Sequence, residues 1–136
     1  MAAVVADTWA GLPIRTGCMD AVLCVFAPRN RDEFKRILRP DGLLVVVTPL
    51  PEHLHQLRET TGMIGIQPHK HDELVAGLES QFEAAGHEDI STVVGLDGPT
   101  ASDVVAMGPS AHHVQDVHVD AVEVTSAVEI TTLVPR

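Results

Sequence analysis

Two short apolar runs, separated by an amphipathic segment, dominate the first part of the chain. Residues 21–26 (AVLCVF) and 43–47 (LLVVV) are continuously apolar, which is the pattern of strands covered on both faces. Between them, Arg31–Leu38 places its apolar residues at i, i+3 and i+4, so it is predicted to be a helix. The turn signal Pro40-Asp41-Gly42 is expected to end that helix. Strand, helix and strand with short joints predict a βαβ unit with parallel strands and a right-handed crossover.

The remaining elements are predicted in the same way. They are a buried strand over Ala2–Ala6 that stops at Asp7, helices over Glu52–Glu59, His71–Ala85 and Ala101–Met107, a strand over Asp89–Leu96, and one or two bent strands between Val117 and Val134. Gly86 is the expected C-cap of the third helix. The apolar alternation of the tail slips near Ala121 and near Ala127, which indicates a bend.

Strands that alternate with helices, followed by a strand-rich tail, predict an open α/β sheet within a single domain over residues 1–136. Sheets of this kind bind ligands at the carboxyl ends of their parallel strands. In this sequence those ends are Asp7, residues 26–30 and residues 48–53. The candidate site is therefore expected where these three segments meet.

Composition excludes several classes of protein. With 45% hydrophobic residues the chain is not disordered, and its longest aliphatic run, Leu43–Val47, is too short to cross a bilayer. The N-terminus carries no basic region typical of a secretory signal. Two cysteines, Cys18 and Cys24, make no disulfide framework and indicate a reducing, cytoplasmic setting. We expect a protein without membrane association.

The net charge of −10 is unevenly distributed. Residues 1–58 carry seven Arg/Lys and six Asp/Glu, whereas residues 59–136 carry two and thirteen. Such an acidic chain is not expected to bind nucleic acid non-specifically. Five cations between Arg29 and Arg39 form either a solvated helix face, paired with Asp32 and Glu33, or a local site for a phosphate.

The strand ends carry a family resemblance. Val4-Val5-Ala6-Asp7, the pair Leu12-Pro13, Asp20-Ala21-Val22-Leu23 and Ile37–Leu44 resemble, in this order and spacing, the third, fourth and fifth strands of a class I S-adenosylmethionine (SAM) dependent methyltransferase. The resemblance implies a partial Rossmann-like fold, with a mostly parallel sheet and a late antiparallel strand, that lacks the first two strands. It also implies an enzyme that uses SAM.

Three further segments narrow the resemblance. Residues 26–30 (FAPRN), 48–54 (TPLPEHL) and 107–111 (MGPSA) are similar to those of the 23S rRNA (guanine-N1)-methyltransferase family, over about Val4 to His113. The resemblance implies methyl transfer to N1 of a guanine in rRNA, carried out by a chain that matches the C-terminal part of the catalytic domain.

The family pattern implies roles for seven residues. Asp7, with Thr8 beside it, matches the strand end near the adenine of SAM, and Phe26 and Ala27 lie in the loop where methyl donor and base meet. His53 matches a histidine that contacts SAM. Arg29 and Asn30 are the candidates for orienting the guanine or a phosphate and are our predicted catalytic residues.

The sequence also departs from the family, because it contains no glycine-rich turn of the kind that holds the amino acid portion of SAM. A truncated, non-catalytic remnant or interaction fragment is therefore the alternative reading. No metal site is predicted: His53 and His55 point in different directions on a helix and do not chelate from one face. Without the first strand, residues 21–26 are expected to form an exposed apolar edge through which the chain self-associates.

Overall fold

The computed structural model describes residues 3–61, 70–107 and 119–136. Its elements are β1 (Met19–Val25), α1 (Arg31–Ile37), β2 (Leu38–Pro49), α2 (His55–Thr61), α3 (Lys70–Leu78), β3 (Phe82–Leu96), α4 (Gly98–Met107) and β4 (Val122–Pro135). The strands form one four-stranded sheet in the order β1-β2-β4-β3. This confirms the predicted α/β class.

The predicted βαβ unit is confirmed. Strands β1 and β2 are parallel, with Leu23 opposite Val45 and Val25 opposite Val47, and α1 connects them. Helix α1 begins after Asn30, whose side-chain oxygen accepts a hydrogen bond from the Glu33 N–H and so caps a free amide of the first turn.

The expected turn at Pro40-Asp41-Gly42 lies instead inside β2. Between Met19 and Ala21 on β1, the partner on β2 advances from Leu38 to Leu43, so β2 carries extra residues there and bulges. A Cβ on Gly42 would stand 2.9 Å from Leu38 Cδ2 and 3.1 Å from the Arg39 carbonyl, so a larger residue would require the Leu38 side chain and the nearby backbone to shift. The turn-forming residues bend the strand without ending it.

The chain divides into two compact units. The first contains residues 1–48, 69–88 and 130–136, and its core lies between the βαβ unit, α3 and the ends of β3 and β4. The buried side chains of this core are Cys24, Phe34, Leu38, Leu44, Val46, Leu74, Leu78, Phe82 and Leu133. The second contains residues 49–68 and 89–129, with a smaller core of Leu57, Ala101, Val105, Val119 and Val124.

The predicted strand over Ala2–Ala6 is wrong for the part that the structure describes. Residues 3–6 are in no strand and are exposed, Val5 completely so. A strand needs a neighbour for its backbone hydrogen bonds, and the order of the sheet offers none to this segment. Ala2 lies outside the described residues.

The predicted helix His71–Ala85 is too long, because α3 ends at Leu78 and β3 begins at Phe82. The apolar stripe that suggested a single helix does reach the core, since Leu74, Leu78 and Phe82 are all buried. Phe82, however, is buried as the first residue of a strand and not as part of the helix. Next to it, the Gln81 carbonyl accepts a hydrogen bond of 2.9 Å from the Arg136 N–H, so the backbone here bonds to the residue that follows β4. Gly86 is therefore inside β3 and caps no helix.

Other predicted boundaries need smaller changes. Helix α2 begins three residues later than expected and α4 three residues earlier. Within the described residues, the tail forms one long strand, β4. Every second residue of β4 is buried from Ala127 through Glu129 and Thr131 to Leu133, whereas the buried Val124 does not fit this alternation, so the slip near Ala127 is confirmed.

Within the described part of the chain, no helix has the length and apolar content required to span a bilayer.

Two charged residues of α1 fix the loop that precedes β1. Glu33 receives two hydrogen bonds of 2.7 Å from Arg36 and one of 2.6 Å from the Leu12 N–H. The Arg36 guanidinium in turn donates to the Leu12 and Ile14 carbonyls at 2.9 and 2.8 Å. These bonds from Arg36 and from the Leu12 amide lower the pKa of Glu33 to about 2.

We predict that Glu33→Gln destabilises the chain in a pH-dependent way. Because the pKa of Glu33 lies near 2 when folded and near 4.5 ordinarily, the stabilisation by its charge is complete above about pH 4.5 and disappears as the pH falls toward 2. Denaturant unfolding at several pH values measures the difference between wild type and variant. The exposed Asp103→Asn on α4 is the control. A difference that does not shrink with acidification would contradict this role.

Candidate functional site

Asn30 joins two of the predicted site segments. Its side-chain NH2 donates to the Thr8 carbonyl at 2.8 Å, while its side-chain oxygen caps α1 through the Glu33 N–H at 3.3 Å. The loop after residue 7 and the loop after β1 are thus held together by one amide side chain. Both ends of the Asn30 side chain are therefore engaged in hydrogen bonds within the chain.

The Asp7 loop is a tight polar turn. One carboxylate oxygen of Asp7 accepts a hydrogen bond from the Trp9 N–H at 2.9 Å, and its carbonyl accepts one from the Ala10 N–H at 3.1 Å. Asp7 and Trp9 are both exposed. An exposed carboxylate with a second oxygen, next to an exposed indole, is suited to a ligand that combines an amino group with an aromatic ring.

Phe26 and Ala27 open the loop after β1. The Phe26 N–H still donates to the Val47 carbonyl at 3.1 Å, but its φ of 50° turns the chain sharply, and its ring is more than half exposed. A non-glycine residue in this left-handed region is uncommon and often marks a functional loop. The turn brings the Ala27 carbonyl to 3.5 Å from the Cys24 sulfur.

Arg29 gives this loop its charge. The residue is exposed, two positions before the start of α1. Burial raises the pKa of the Cys24 thiol, and the positive charge of Arg29 opposes that shift. Cys24 is therefore a buried neutral thiol beneath the loop, whereas Arg29 presents a cation to solvent, where it can meet an anion or a carbonyl-rich base edge.

His53 lies in the second unit, where the start of β4 holds it. Its Nδ1 accepts a hydrogen bond from the Ala127 N–H at 3.1 Å, so this ring nitrogen carries no proton. Leu54, whose own φ is 53°, donates its N–H to the Thr125 carbonyl at 2.7 Å. The side chain of Gln56 makes two hydrogen bonds with Thr125. The segment 53–56 is thus fixed to β4.

The electrostatic surroundings keep His53 neutral. Burial lowers its pKa, a backbone hydrogen bond to Ala127 partly opposes that shift, and the positive charge of Arg58 acts in the same direction as burial. A neutral imidazole bonded at Nδ1 carries its proton on Nε2, which makes that atom a donor.

The structure thus brings together six of the seven predicted residues. Asp7, Thr8, Phe26, Ala27, Arg29 and Asn30 lie in two loops of the first unit that the Asn30 side chain connects. His53 is in the second unit. The Gly108–Ala111 part of the family pattern is outside the described residues.

Sequence reasoning missed the contributions of three residues. The cluster that contains Arg36 was predicted to be either a solvated helix face, with Glu33 as a partner, or a local site for a phosphate. Glu33 and Arg36 do pair with each other, and their bonds also hold the loop of residues 12–16. The i, i+3 spacing indicates the pair, but the sequence does not indicate the loop beneath it. Trp9, the only tryptophan, carried no predicted role and stands exposed beside Asp7.

Comparison with known proteins identifies relatives. Over 109 residues the chain is 47% identical to the 23S rRNA (guanine(748)-N(1))-methyltransferase of Streptomyces fradiae, covering 80% of this chain and 39% of that protein. It is 38% identical over 141 aligned positions to a Micromonospora griseorubida protein provisionally named 23S rRNA (guanine-N(1)-)-methyltransferase, covering 98% and 48%. These homologues confirm the resemblance found in the sequence. No family model matches the chain.

The matches leave part of each relative unaccounted for, since the chain spans less than half the length of both. Among solved structures, the YcgJ protein of Bacillus subtilis has a TM-score of 0.49 at 13% identity, with 92% of this chain and 67% of that one covered. A Bacillus halodurans protein provisionally assigned as a methyltransferase has the same TM-score at 11% identity, covering 90% and 67%. Below a TM-score of 0.5 these likenesses bear on neither fold nor activity.

We predict that Asn30→Ala and Asn30→Asp separate the two bonds of this side chain. Alanine removes both the helix cap and the bond to Thr8 and is expected to cost about 1–2 kcal/mol of unfolding free energy. Aspartate keeps the cap but loses the donor to the Thr8 carbonyl, so it is expected to be the milder change in denaturant unfolding. Equal losses in the two variants would contradict the assignment.

We predict that His53 titrates below its ordinary pKa near 6.5, because burial disfavours the imidazolium. Between the lowered value and 6.5 the unfolded chain binds more protons than the folded one, so stability rises with pH across that window. NMR titration of the ring measures the pKa directly. His53→Ala removes the acceptor of the buried Ala127 N–H and is expected to cost about 1–2 kcal/mol at neutral pH. A midpoint above 6.5 would contradict the buried, neutral ring.

Proposed function

We propose that this chain, a homologue of 23S rRNA (guanine-N1)-methyltransferases, carries part of the active site of a cytoplasmic enzyme that methylates N1 of a guanine in 23S rRNA. The observation that carries the proposal is the 47% identity to the Streptomyces fradiae enzyme over 80% of the chain. This chain also contains strand ends of the kind at which α/β sheets bind ligands.

The reaction needs a methyl donor and the loss of one proton. SAM, when bound, supplies a methyl group on a sulfonium, which leaves as S-adenosylhomocysteine once the carbon bonds to nitrogen. Guanine N1 is protonated at neutral pH, so its N–H bond must break as the new bond forms, and the released proton passes to a basic group or to solvent. The contribution of the protein is to hold the ring nitrogen in line with the methyl group and to exclude competing water.

The residues of the Asp7 loop fit the adenine end of SAM. One oxygen of the exposed Asp7 carboxylate accepts a hydrogen bond from the Trp9 N–H. The other oxygen is proposed to accept a hydrogen bond from the adenine amino group. Thr8, Phe26 and Ala27 are proposed to line the same site, since the Asn30 side chain holds their two loops together. His53 is the further SAM contact proposed from the family pattern.

Arg29 and Asn30 are assigned different tasks. The exposed guanidinium of Arg29 is proposed to orient the guanine, through its carbonyl, or an adjacent rRNA phosphate. Asn30 is proposed to keep the two loops at the spacing that the reaction needs. An Arg29→Lys substitution keeps the charge but loses the planar fork, so it separates the two kinds of contact.

We predict that SAM changes the fluorescence of Trp9, the only tryptophan and two residues from Asp7. A saturable change is expected on titration into the folded 136-residue chain, with affinity reduced at least about tenfold in Asp7→Ala through loss of one charge-assisted hydrogen bond. Asp103→Asn, far along the sequence on α4, should bind as wild type. A folded chain without any response would favour the non-catalytic remnant.

The activity itself is tested with 23S rRNA and methyl-labelled SAM. Methylation at N1 blocks the Watson–Crick edge, so a modified guanine stops primer extension. The stop is expected to require Arg29 as well as SAM, and Arg29→Ala should lose it while keeping the Trp9 response. Methyl incorporation without a stop at guanine would overturn the assignment of the N1 position.

A further inference from the structure

The first unit contains a recess of about 410 Å³ beside the end of α1. Its walls come from the loop before β1, the last turn of α1, the start of β2 and the residues at the end of β4. No described aspartate or glutamate lines it, but four of the nine cations of the chain do: Lys35, Arg36, Arg39 and Arg136. In a protein with nineteen acidic residues, a recess lined by cations alone attracts anions.

These cations exceed what the end of the helix requires. Lys35 and Arg36 lie in the last turn of α1, where a cation offsets the negative end of the helix dipole. Arg39 and Arg136, however, lie outside the helix. The last two carbonyls of α1 also accept backbone hydrogen bonds of 2.9 and 3.0 Å from the loop before β1. Stabilisation of the helix end therefore does not account for all four charges.

The cations differ in how many of their donors the chain uses. Arg36 makes five hydrogen bonds, to Glu33 and to the loop before β1, so all five of its N–H groups are engaged. Within the described part of the chain, Arg39 bonds only to Asp20, through Nη1. Its Nε and Nη2 form the other edge of the guanidinium, and this edge is available to a ligand as a pair of parallel donors.

Lys35 supplies a second donor on the same recess. Its Nζ donates to the Gln81 carbonyl at 3.1 Å and to the backbone oxygen of Arg136, which leaves one ammonium hydrogen for a ligand. Because Lys35 and Arg39 belong to α1 and β2, these two donors do not depend on the last residue of the sequence.

The remaining walls of the recess are apolar. They are formed by Leu38, Pro40 and Pro135, and the two prolines have no N–H. A volume of about 410 Å³ is typical of a site for a small molecule and exceeds what a single phosphate needs. Cations beside an apolar wall suit a phosphate together with the sugar attached to it.

From these observations we propose that the recess binds a backbone phosphate of RNA, held by the Nε and Nη2 of Arg39 and by Lys35. Phosphate as the ligand follows from the charge and the paired donors of the recess. RNA as its source rests on the proposed function, in which the substrate is rRNA.

The recess lies far from the proposed site of methyl transfer. It is at the amino ends of β1 and β2, whereas the loop of Phe26 and Arg29 follows the carboxyl end of β1. A strand of seven residues spans about 20 Å, so the bound phosphate belongs to a nucleotide several positions away from the guanine. The contact strengthens RNA binding and takes no part in the chemical step.

NMR titration of the isotope-labelled 136-residue chain with inorganic phosphate tests the site, with chloride keeping the ionic strength constant. Saturable shifts are expected at the amides of Gly17 and Arg39, and Arg39→Gln should abolish them. This substitution removes one exposed ion pair, so the fold should be retained. Absence of the shifts, or their persistence in Arg39→Gln, would overturn the proposal.

Arg31→Gln is the matched control for this titration. The side chains of Arg31 and Arg39 are each 49% exposed and each paired with an aspartate, but Arg31 is at the start of α1 and outside the recess. The control removes the same charge from the chain and should leave the phosphate shifts in place.

Binding of a 23S rRNA fragment at several salt concentrations identifies the source of the phosphate. Arg39→Gln is expected to lower the affinity about tenfold, through loss of one charge-assisted contact, and to reduce the slope of log K against log salt by about 1. Arg31→Gln should leave that slope unchanged. If Arg39→Gln abolished phosphate binding without weakening RNA binding, the ligand would be a small phosphorylated molecule, and RNA as the source would be overturned.

The SAM response of Trp9 distinguishes failure of this proposal from failure of the proposed function. Arg39→Gln should retain that response, since Arg39 is in neither of the two loops that the Asn30 side chain joins. A wild-type chain that binds phosphate in the recess but shows neither a SAM response nor methylation would contradict the methyltransferase and support the phosphate site.

Discussion

The hydrogen bonds made by side chains of α1 and of its N-cap Asn30 are the constraint on which the candidate site depends. Asn30 caps the helix and holds the Thr8 carbonyl, and Glu33 with Arg36 fixes the loop from Leu12 to Ile14. The loop segments before β1 have no regular secondary structure of their own. Side chains of one short helix set the positions of these segments. Substitutions in α1 are therefore expected to change the positions of Asp7 and Trp9.

Helix α1 is in turn fixed by the parallel strands β1 and β2, which precede and follow it in the chain. Phe34 and Ile37 are buried, and β1 and β2 keep a regular register from Ala21 to Val25. This arrangement explains why the turn at Phe26 tolerates a positive φ: the Phe26 N–H is still bonded to β2, and the helix cap fixes the other end of the loop. Strain at one residue is offset by bonds on both sides.

The sequence predicted the elements that local apolar patterns determine. It did not predict the elements and hydrogen bonds that depend on partners distant along the chain. The βαβ unit follows from two apolar runs and one amphipathic helix, and it is confirmed. The local pattern of Ala2–Ala6 predicted a strand, and that of residues 82–85 predicted part of a helix. Whether either segment forms a strand depends on pairing with strands elsewhere in the chain. Motif similarity proposed the loops of Asp7 and Arg29 as the candidate site. The bond between Asn30 and Thr8, in contrast, spans 22 residues and leaves no signal in the local sequence.

The two loops that the Asn30 side chain joins are proposed to form a single binding surface. The most direct measurement is an NMR titration of the isotope-labelled chain with SAM, following the backbone amides and the Asn30 side-chain amide. The account predicts saturable shifts with one common affinity at Asp7, Thr8, Ala27 and the Asn30 side chain. Shifts in only one of the two loops, or different affinities for the two, would contradict it.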